Sequence, residues 1–242
     1  MSNINNPRFL EILQQGEITL RGQFVHGSNY TFLTAIQHDQ HEYPAVYKPT
    51  RGEQPLWDFP AGTLSRREVA AYLVSEALGW QLVPPTVYRQ KAPLGPGSVQ
   101  LFIEYDPEYH YFSFRPEDRQ RLRPVALFDL IVNNADRKGG HILFDEQDHL
   151  WLIDHGICFH VEDKLRTVVW DFDSQSIPEN LLADLVRFEQ QLSQPDGILT
   201  ALEDFLSPAE RRALRRRVRH LIDAGCFPAP SSNRRPYPWP PV

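Results

Sequence analysis

The chain of 242 residues, 41% hydrophobic and 23% charged, is long enough for one large domain or two lobes about a cleft, which excludes a minimal module, a wholly disordered chain and a coiled coil. Its 25 Lys and Arg against 31 Asp and Glu give a net charge of -6, which argues against bulk attraction to nucleic acid or acidic lipid, so any bound anion needs a local site. With two cysteines, Cys158 and Cys226, no leader-like N-terminus and no run near the ~18 apolar residues of a membrane span, the expectation is a cytoplasmic protein without integral membrane association.

Two β-prone runs, Ile18 to Val25 and Tyr30 to Ile36, flank His26-Gly27-Ser28-Asn29, which has the chemistry of a hairpin turn. After the polar turn His38-Asp39-Gln40-His41-Glu42, Tyr43 to Lys48 reads as a third strand. The period then changes: Val69, Tyr72, Leu73 and Ala77 recur at helical spacing, Ser65 and Glu68 form a capping box, and Gly79 is the natural stop. Two further strands lie around a Pro/Gly-rich turn in the segments 81–90 and 98–105.

From Pro116 helices dominate, one to Arg123 and a more apolar one from Pro124 to Val132, with Leu127, Phe128 and Ile131 on one side. The loop 133–140 leads into two short strands, 141–145 and 149–154, joined by a tight Glu146-Gln147 turn. Later helices run from Pro178 to Leu192, Gly197 to Phe205 and Pro208 to Ala224, the last opened by a Ser207/Glu210 capping box. Six of the 21 prolines fall between Pro228 and Pro241, so that segment is neither helix nor central strand. The pattern is α+β and two-lobed: a β-rich N-lobe over 1–105, an α-rich C-lobe over 106–227 and a Pro-rich tail over 228–242.

Residues 128–159 carry the most chemistry. An apolar helix delivers a loop holding Asp136-Arg137, a glycine pair releases the chain into a strand at His141, and a second strand ends at Asp154-His155-Gly156. Adjacent strands with a short connection bring Asp136, His141 and Asp154 toward one end of the hairpin. Hard oxygen ligands there suit a divalent metal, and an aspartate can orient a hydroxyl for attack on phosphorus. The alternative is that both aspartates are solvated turn residues, against which stands the apolar run Leu150, Leu152, Ile153 that delivers Asp154.

The run Asp136-Arg137-Lys138-Gly139-Gly140-His141, followed by Ile153-Asp154-His155-Gly156, resembles the catalytic loop and metal-binding motif of the phosphatidylinositol 3- and 4-kinase superfamily, and extends to HipA-like kinases within the wider protein-kinase-like fold. The resemblance implies a two-lobed fold with ATP between the lobes and Mg2+, or Mn2+, on its phosphates. It implies Asp136, Arg137 and Lys138 as the catalytic loop, with Asp136 handling the acceptor hydroxyl and Arg137 bracing the loop, and Asp154 with His141 as metal ligands. It places Lys48 on the α/β phosphates with Glu68 orienting it, Glu76 being the other candidate, and lays the turn with Ser28 and Asn29 over the phosphates. The strand up to Glu104 becomes the connection that meets the adenine. This sequence departs from the family where His141 replaces Asn and Lys138 replaces the His of many lipid kinases.

The implied activity is ATP-dependent phosphoryl transfer to a hydroxyl acceptor on a protein, a small molecule or a lipid. A nucleotide-binding pseudokinase, motivated by His141, and transfer of AMP on the same fold are the alternatives. The Arg-rich helix, with Arg211, Arg212, Arg215, Arg216, Arg217 and Arg219, reads as a solvated amphipathic face or as a surface for a protein partner. The Tyr237 to Val242 stretch reads as a polyproline ligand or as an arm that packs its Trp239, and Cys158 as core.

Overall fold

In the computed structural model, which describes residues 7–24 and 29–242, the five early strands form one antiparallel sheet. They are β1 (Glu17–Gln23), β2 (Phe32–His38), β3 (His41–Pro49), β4 (Thr86–Arg89) and β5 (Gly97–Leu101), in the order β1-β2-β3-β5-β4. Val25, His26, Gly27 and Ser28 lie outside the described residues, and with them most of the turn expected over the phosphates. The β2–β3 hairpin closes with His38 opposite His41, and Asp39 and Gln40 both take positive φ, 48° and 63°. That two-residue geometry matches the strand twist.

Lys48 is the penultimate residue of β3, opposite Ser98, and Pro49 ends the strand opposite Gly97. A Cβ at residue 97 would meet the Lys48 carbonyl oxygen at 2.3 Å and the Pro49 Cα at 2.8 Å. Only glycine lets β5 approach the end of the lysine-bearing strand so closely. A helix the sequence reading did not anticipate, α1 (Pro7–Gln15), covers the sheet with Ile12 and Leu13, which pack with Ile36, Tyr47 and Val99. Nine residues give its periodicity little length in which to declare itself.

Helix α2 (Leu64–Leu78) starts two residues earlier than a Ser65 cap requires, and the expected capping box does not form. The Glu53 carboxylate caps the helix instead: Oε2 accepts from Leu64 N at 3.1 Å, and Oε1 accepts from Ser65 N and Ser65 Oγ at 2.8 Å each. A side-chain anion satisfies orphan amides and opposes the helix dipole. Its tertiary origin leaves Glu68 free for other contacts. The helix is buried nearly all round, between the sheet and the helical part, and ends at Gly79 in the left-handed conformation as expected.

The rest comprises α3 (Pro116–Gln120), α4 (Arg123–Val132), β6 (Ile142–Phe144), β7 (Leu150–Leu152), α5 (Glu179–Ser193), α6 (Ile198–Ala201) and α7 (Pro208–Ala224). The β6–β7 connection is longer than the two residues expected, because Asp145 Oδ1 accepts from the N–H of Gln147 and His149, at 2.9 Å each, and organises a wider loop. The helix expected to reach Phe205 stops at Ala201. Leu127, Phe128 and Ile131 of α4 pack with Leu185 and Phe188 of α5 and Leu214 and Val218 of α7 in the main core, which also buries Cys158. The Ser207/Glu210 box caps α7 as expected.

Most of the Arg-rich run is answered within the chain. Arg215 and Arg219 meet Glu189, Arg211 meets Glu203, and Arg217 donates to the carbonyls of Ile131 and His160. The tail docks through its backbone: Thr167 N donates to the Pro236 carbonyl at 3.0 Å and Gly139 N to the Pro241 carbonyl at 2.8 Å. Trp239 stays 74% exposed beside Arg235, so it is not the residue that packs the arm. Among the described residues no helix is long and apolar enough to cross a membrane.

Candidate active site

Helix α4 ends where Asn133 adopts the left-handed conformation, and the next residues are fixed by side-chain bonds to backbone. Asn134 Oδ1 accepts from Asp136 N at 2.9 Å, while Asn134 Nδ2 donates to Asp129 Oδ1 at 3.1 Å. Arg137 is fully buried on Asp129, itself fully buried, with Nε 3.0 Å from Oδ1. Its Nη1 donates to the Ile153 carbonyl at 2.7 Å, and its Nη2 lies 2.7 Å from His155 Nε2. Thr167 Oγ1 completes the shell of Asp129 at 3.0 Å. One guanidinium thus ties the loop after α4 to the turn after β7. Such a buried pair holds its place only while every partner is satisfied.

The turn after β7 presents Asp154 with φ at 62°, a conformation aspartate tolerates better than most side chains. Its Oδ1 accepts from Lys48 Nζ at 3.0 Å across 106 residues of sequence. Lys48 also pairs with Glu68 Oε1, and Glu68 Oε2 accepts from His155 N at 2.9 Å. Glu68 therefore anchors α2 both to the lysine and to the Asp154-His155 turn. Glu76, the other candidate, does not take part; its Oε1 is buried without a partner.

The charges shape one another. Burial opposes the Lys48 ammonium, but Asp154 and Glu68 together raise its pKa above the ordinary lysine value. Lys48 in turn holds the Asp154 carboxyl well below the usual carboxylate range, against its desolvation. Burial pushes Asp136 up to about 6, a rise that Lys138 moderates and Asp154 reinforces. Lys138 Nζ lies 3.7 Å from Asp136 Oδ2.

His141 is held neutral, its pKa pushed down to about 4 by burial. Lys138 N points at its Nδ1 at 3.4 Å, which leaves the ring proton on Nε2, 3.4 Å from Asp154 Oδ2. In this tautomer the ring N–H lies beside the Asp154 carboxylate. Among the described residues no group of three or more His, Cys, Asp or Glu side chains is placed to hold a metal on protein ligands alone. The half-exposed Asp154 carboxylate still fits a magnesium or manganese ion that draws its remaining ligands from phosphate and water.

The structure thus gathers Lys48, Glu68, Asp154 and His141, sets Asp136 with Lys138 on the adjoining loop, and buries Arg137 beneath. Asn29 Oδ1 accepts from Gln54 N at 2.7 Å, Glu104 is exposed in the connection after β5, and Ser28 lies outside the described residues. Asp129, Glu53 and Thr167 went unnoticed in the sequence. A lone aspartate inside the apolar run of α4 was the available signal for Asp129, since such a carboxylate is buried only when paired.

Residues 61–202 match the sequence family described as phosphatidylinositol 3- and 4-kinase. Protein Rv2133c of Mycobacterium tuberculosis is 38% identical over 95% of this chain and 94% of its own length. Phosphatidylinositol 4-kinase gamma 4 of rice, Oryza sativa subsp. japonica, is 32% identical over 43% of this chain, and the match spans 22% of that relative. Among solved structures, the Golgi casein kinase with Mn/ADP bound superposes with a TM-score of 0.56 at 16% identity, covering 98% of this chain and 80% of that one. That likeness shows a kinase-like fold.

Proposed function

The chain belongs to the phosphatidylinositol 3- and 4-kinase family, and from that premise we propose that it is an ATP-dependent phosphotransferase moving the γ-phosphoryl group to a hydroxyl acceptor. Family membership supports phosphoryl transfer. The observation that carries the finer reading is the Lys48 ammonium held at once by Glu68 and, at 3.0 Å, by Asp154. A cation and a metal-binding carboxylate so close can grip one triphosphate from two sides.

In this reading Lys48 binds the α/β phosphates and Glu68 orients it, while the nucleotide base lies along the connection that contains Glu104. Asn29, fixed on Gln54, steadies the start of β2, from which the turn with Ser28 would cover the phosphates. Asp154, aided by His141 in its other tautomer, would hold a divalent ion, which when bound neutralises phosphate charge. Asp136 orients the acceptor hydroxyl and takes its proton as the oxygen–phosphorus bond forms and the bond to the β-phosphate oxygen breaks. Lys138 offsets charge on the transferred group, and Arg137 acts as a positioning residue. Catalysis is then mainly placement and charge stabilisation.

His141 favours a second reading, a pseudokinase that binds nucleotide without turnover. The test is thermal unfolding of the purified protein with ATP, ADP and GTP, with and without magnesium or manganese, beside ATP labelled at the α or γ position. The kinase reading expects metal-dependent stabilisation and release or transfer of the γ label. Stabilisation without turnover supports the pseudokinase, and transfer of the α label establishes AMP transfer instead.

A pH dependence follows from Asp136. A base works deprotonated, so kcat/KM falls as the pH drops through about 6, the value to which burial raises this carboxyl. Lys138 lowers that value, so Lys138→Met moves the acidic limb to higher pH. A limb unmoved in the variant, or lying near the ordinary carboxylate range, removes Asp136 as the base.

A further inference from the structure

A cavity of about 790 Å³ opens among α4, α7 and the start of the tail, and none of the residues assigned to the candidate active site lines it. Its size falls in the range of small-molecule sites. Leu130, Leu165, Trp170 and Leu221 give it an apolar body. Arg216, Arg217, His220 and Arg234 line it against a single carboxylate, Asp163, which Arg234 already pairs. Three guanidinium groups therefore stand against one carboxylate.

Two of those guanidinium groups have unmade hydrogen bonds. Arg217 spends Nε on the Ile131 carbonyl at 2.8 Å and Nη1 on the His160 carbonyl at 3.2 Å, while its Nη2 is buried without an acceptor. Arg234 Nε is likewise buried and unpartnered. Buried donors are ordinarily satisfied, so two unmet guanidinium atoms beside one cavity mark a local surplus of positive charge. Burial also pushes the Arg217 pKa down to about 10, against the pull of Asp163, as expected of a cation short of counter-charge.

We propose that this cavity is a second binding site, separate from the nucleotide site, for an amphipathic anion: an alkyl chain lying against Trp170 and Leu130 with one anionic headgroup drawn to the cationic side formed by Arg216, Arg217 and Arg234. Neither feature alone explains the lining, since an apolar ligand leaves the positive charge unanswered and a bare anion leaves the apolar body open.

Calorimetric titration of the full chain, at concentrations below micelle formation, tests it with three probes: dodecyl phosphate, the uncharged dodecyl maltoside and inorganic phosphate. One saturable site for dodecyl phosphate, with each other probe at least about tenfold weaker, is the expected result. Arg216→Glu combined with Arg234→Gln should weaken that site by at least about tenfold. Ala224→Trp, at the exposed end of α7 where it lines the cavity, should block it sterically. Absence of binding, equal binding of the maltoside, equal binding of inorganic phosphate, or an unchanged affinity in the folded variants each overturns the proposal.

Discussion

Replacing Asp154 by Asn is expected to lower ATP turnover by about 10³-fold or more while the protein stays folded. The carboxylate is half exposed and meets Lys48 Nζ at 3.0 Å and His141 Nε2 at 3.4 Å, so its removal takes away the anion on which a phosphate-bound ion depends. Stability changes little, because a half-exposed pair contributes only about 0 to 1 kcal/mol and Lys48 keeps Glu68. Asn suits the positive φ of this residue, whereas Asp154→Ala adds backbone strain to the loss of charge. Steady-state turnover measured for both variants beside their unfolding midpoints separates the two effects. Turnover within tenfold of the parent in a folded Asp154→Asn protein removes the phosphotransfer assignment from this site.

Arg137→Met is expected to destabilise the fold by about 3–5 kcal/mol, a drop in Tm on the order of 10 °C. Arg137 and Asp129 are both fully buried, and burial already pushes the Asp129 carboxyl up despite its guanidinium partner. Losing the arginine strands that carboxylate, the Ile153 carbonyl and His155 together. Adding Asp129→Leu removes the stranded charge and should restore part of the stability. Turnover should stay low in the double variant, because the guanidinium that ties the Asp136 loop to the Asp154 turn is then gone, leaving only backbone bonds such as Ala135 N to the Ile157 carbonyl. Thermal unfolding and turnover across the cycle check both halves. An Arg137→Met protein with the parent's Tm, or a double variant with the parent's rate, contradicts the bracing role.

What could be read from the sequence was what short-range pattern encodes. Alternation located the strands, Gly79 marked the end of α2, and Ser207 with Glu210 marked the start of α7. Ser65 and Glu68 had the same spacing and misled, because Glu53 arrives from an earlier turn to take the cap. No local rule reports such an arrival, and it is what leaves Glu68 for Lys48. The motif residues around Asp136 and Asp154 were legible because their spacing is itself the signal. Asp129 was not, since it lies in an apolar helix, and Lys48 joined Asp154 only through the family resemblance, because their contact closes over 106 residues. Asn29 and Glu104 came from the family resemblance alone; Asn29 accepts from the Gln54 amide and Glu104 is exposed after β5.

The docked tail has one more consequence. Thr167 bridges Arg137 in parallel and sends its own amide outward to Pro236, and Gly139 does the same to Pro241. Left bare, those amides would form a short open edge on which a foreign strand could nucleate intermolecular β-pairing. Proline accepts through its carbonyl but carries no amide hydrogen, so at both positions the covering segment cannot hand the ladder on. A segment that reads as low-information sequence thus works as insulation, shielding the machinery around Arg137 from self-association.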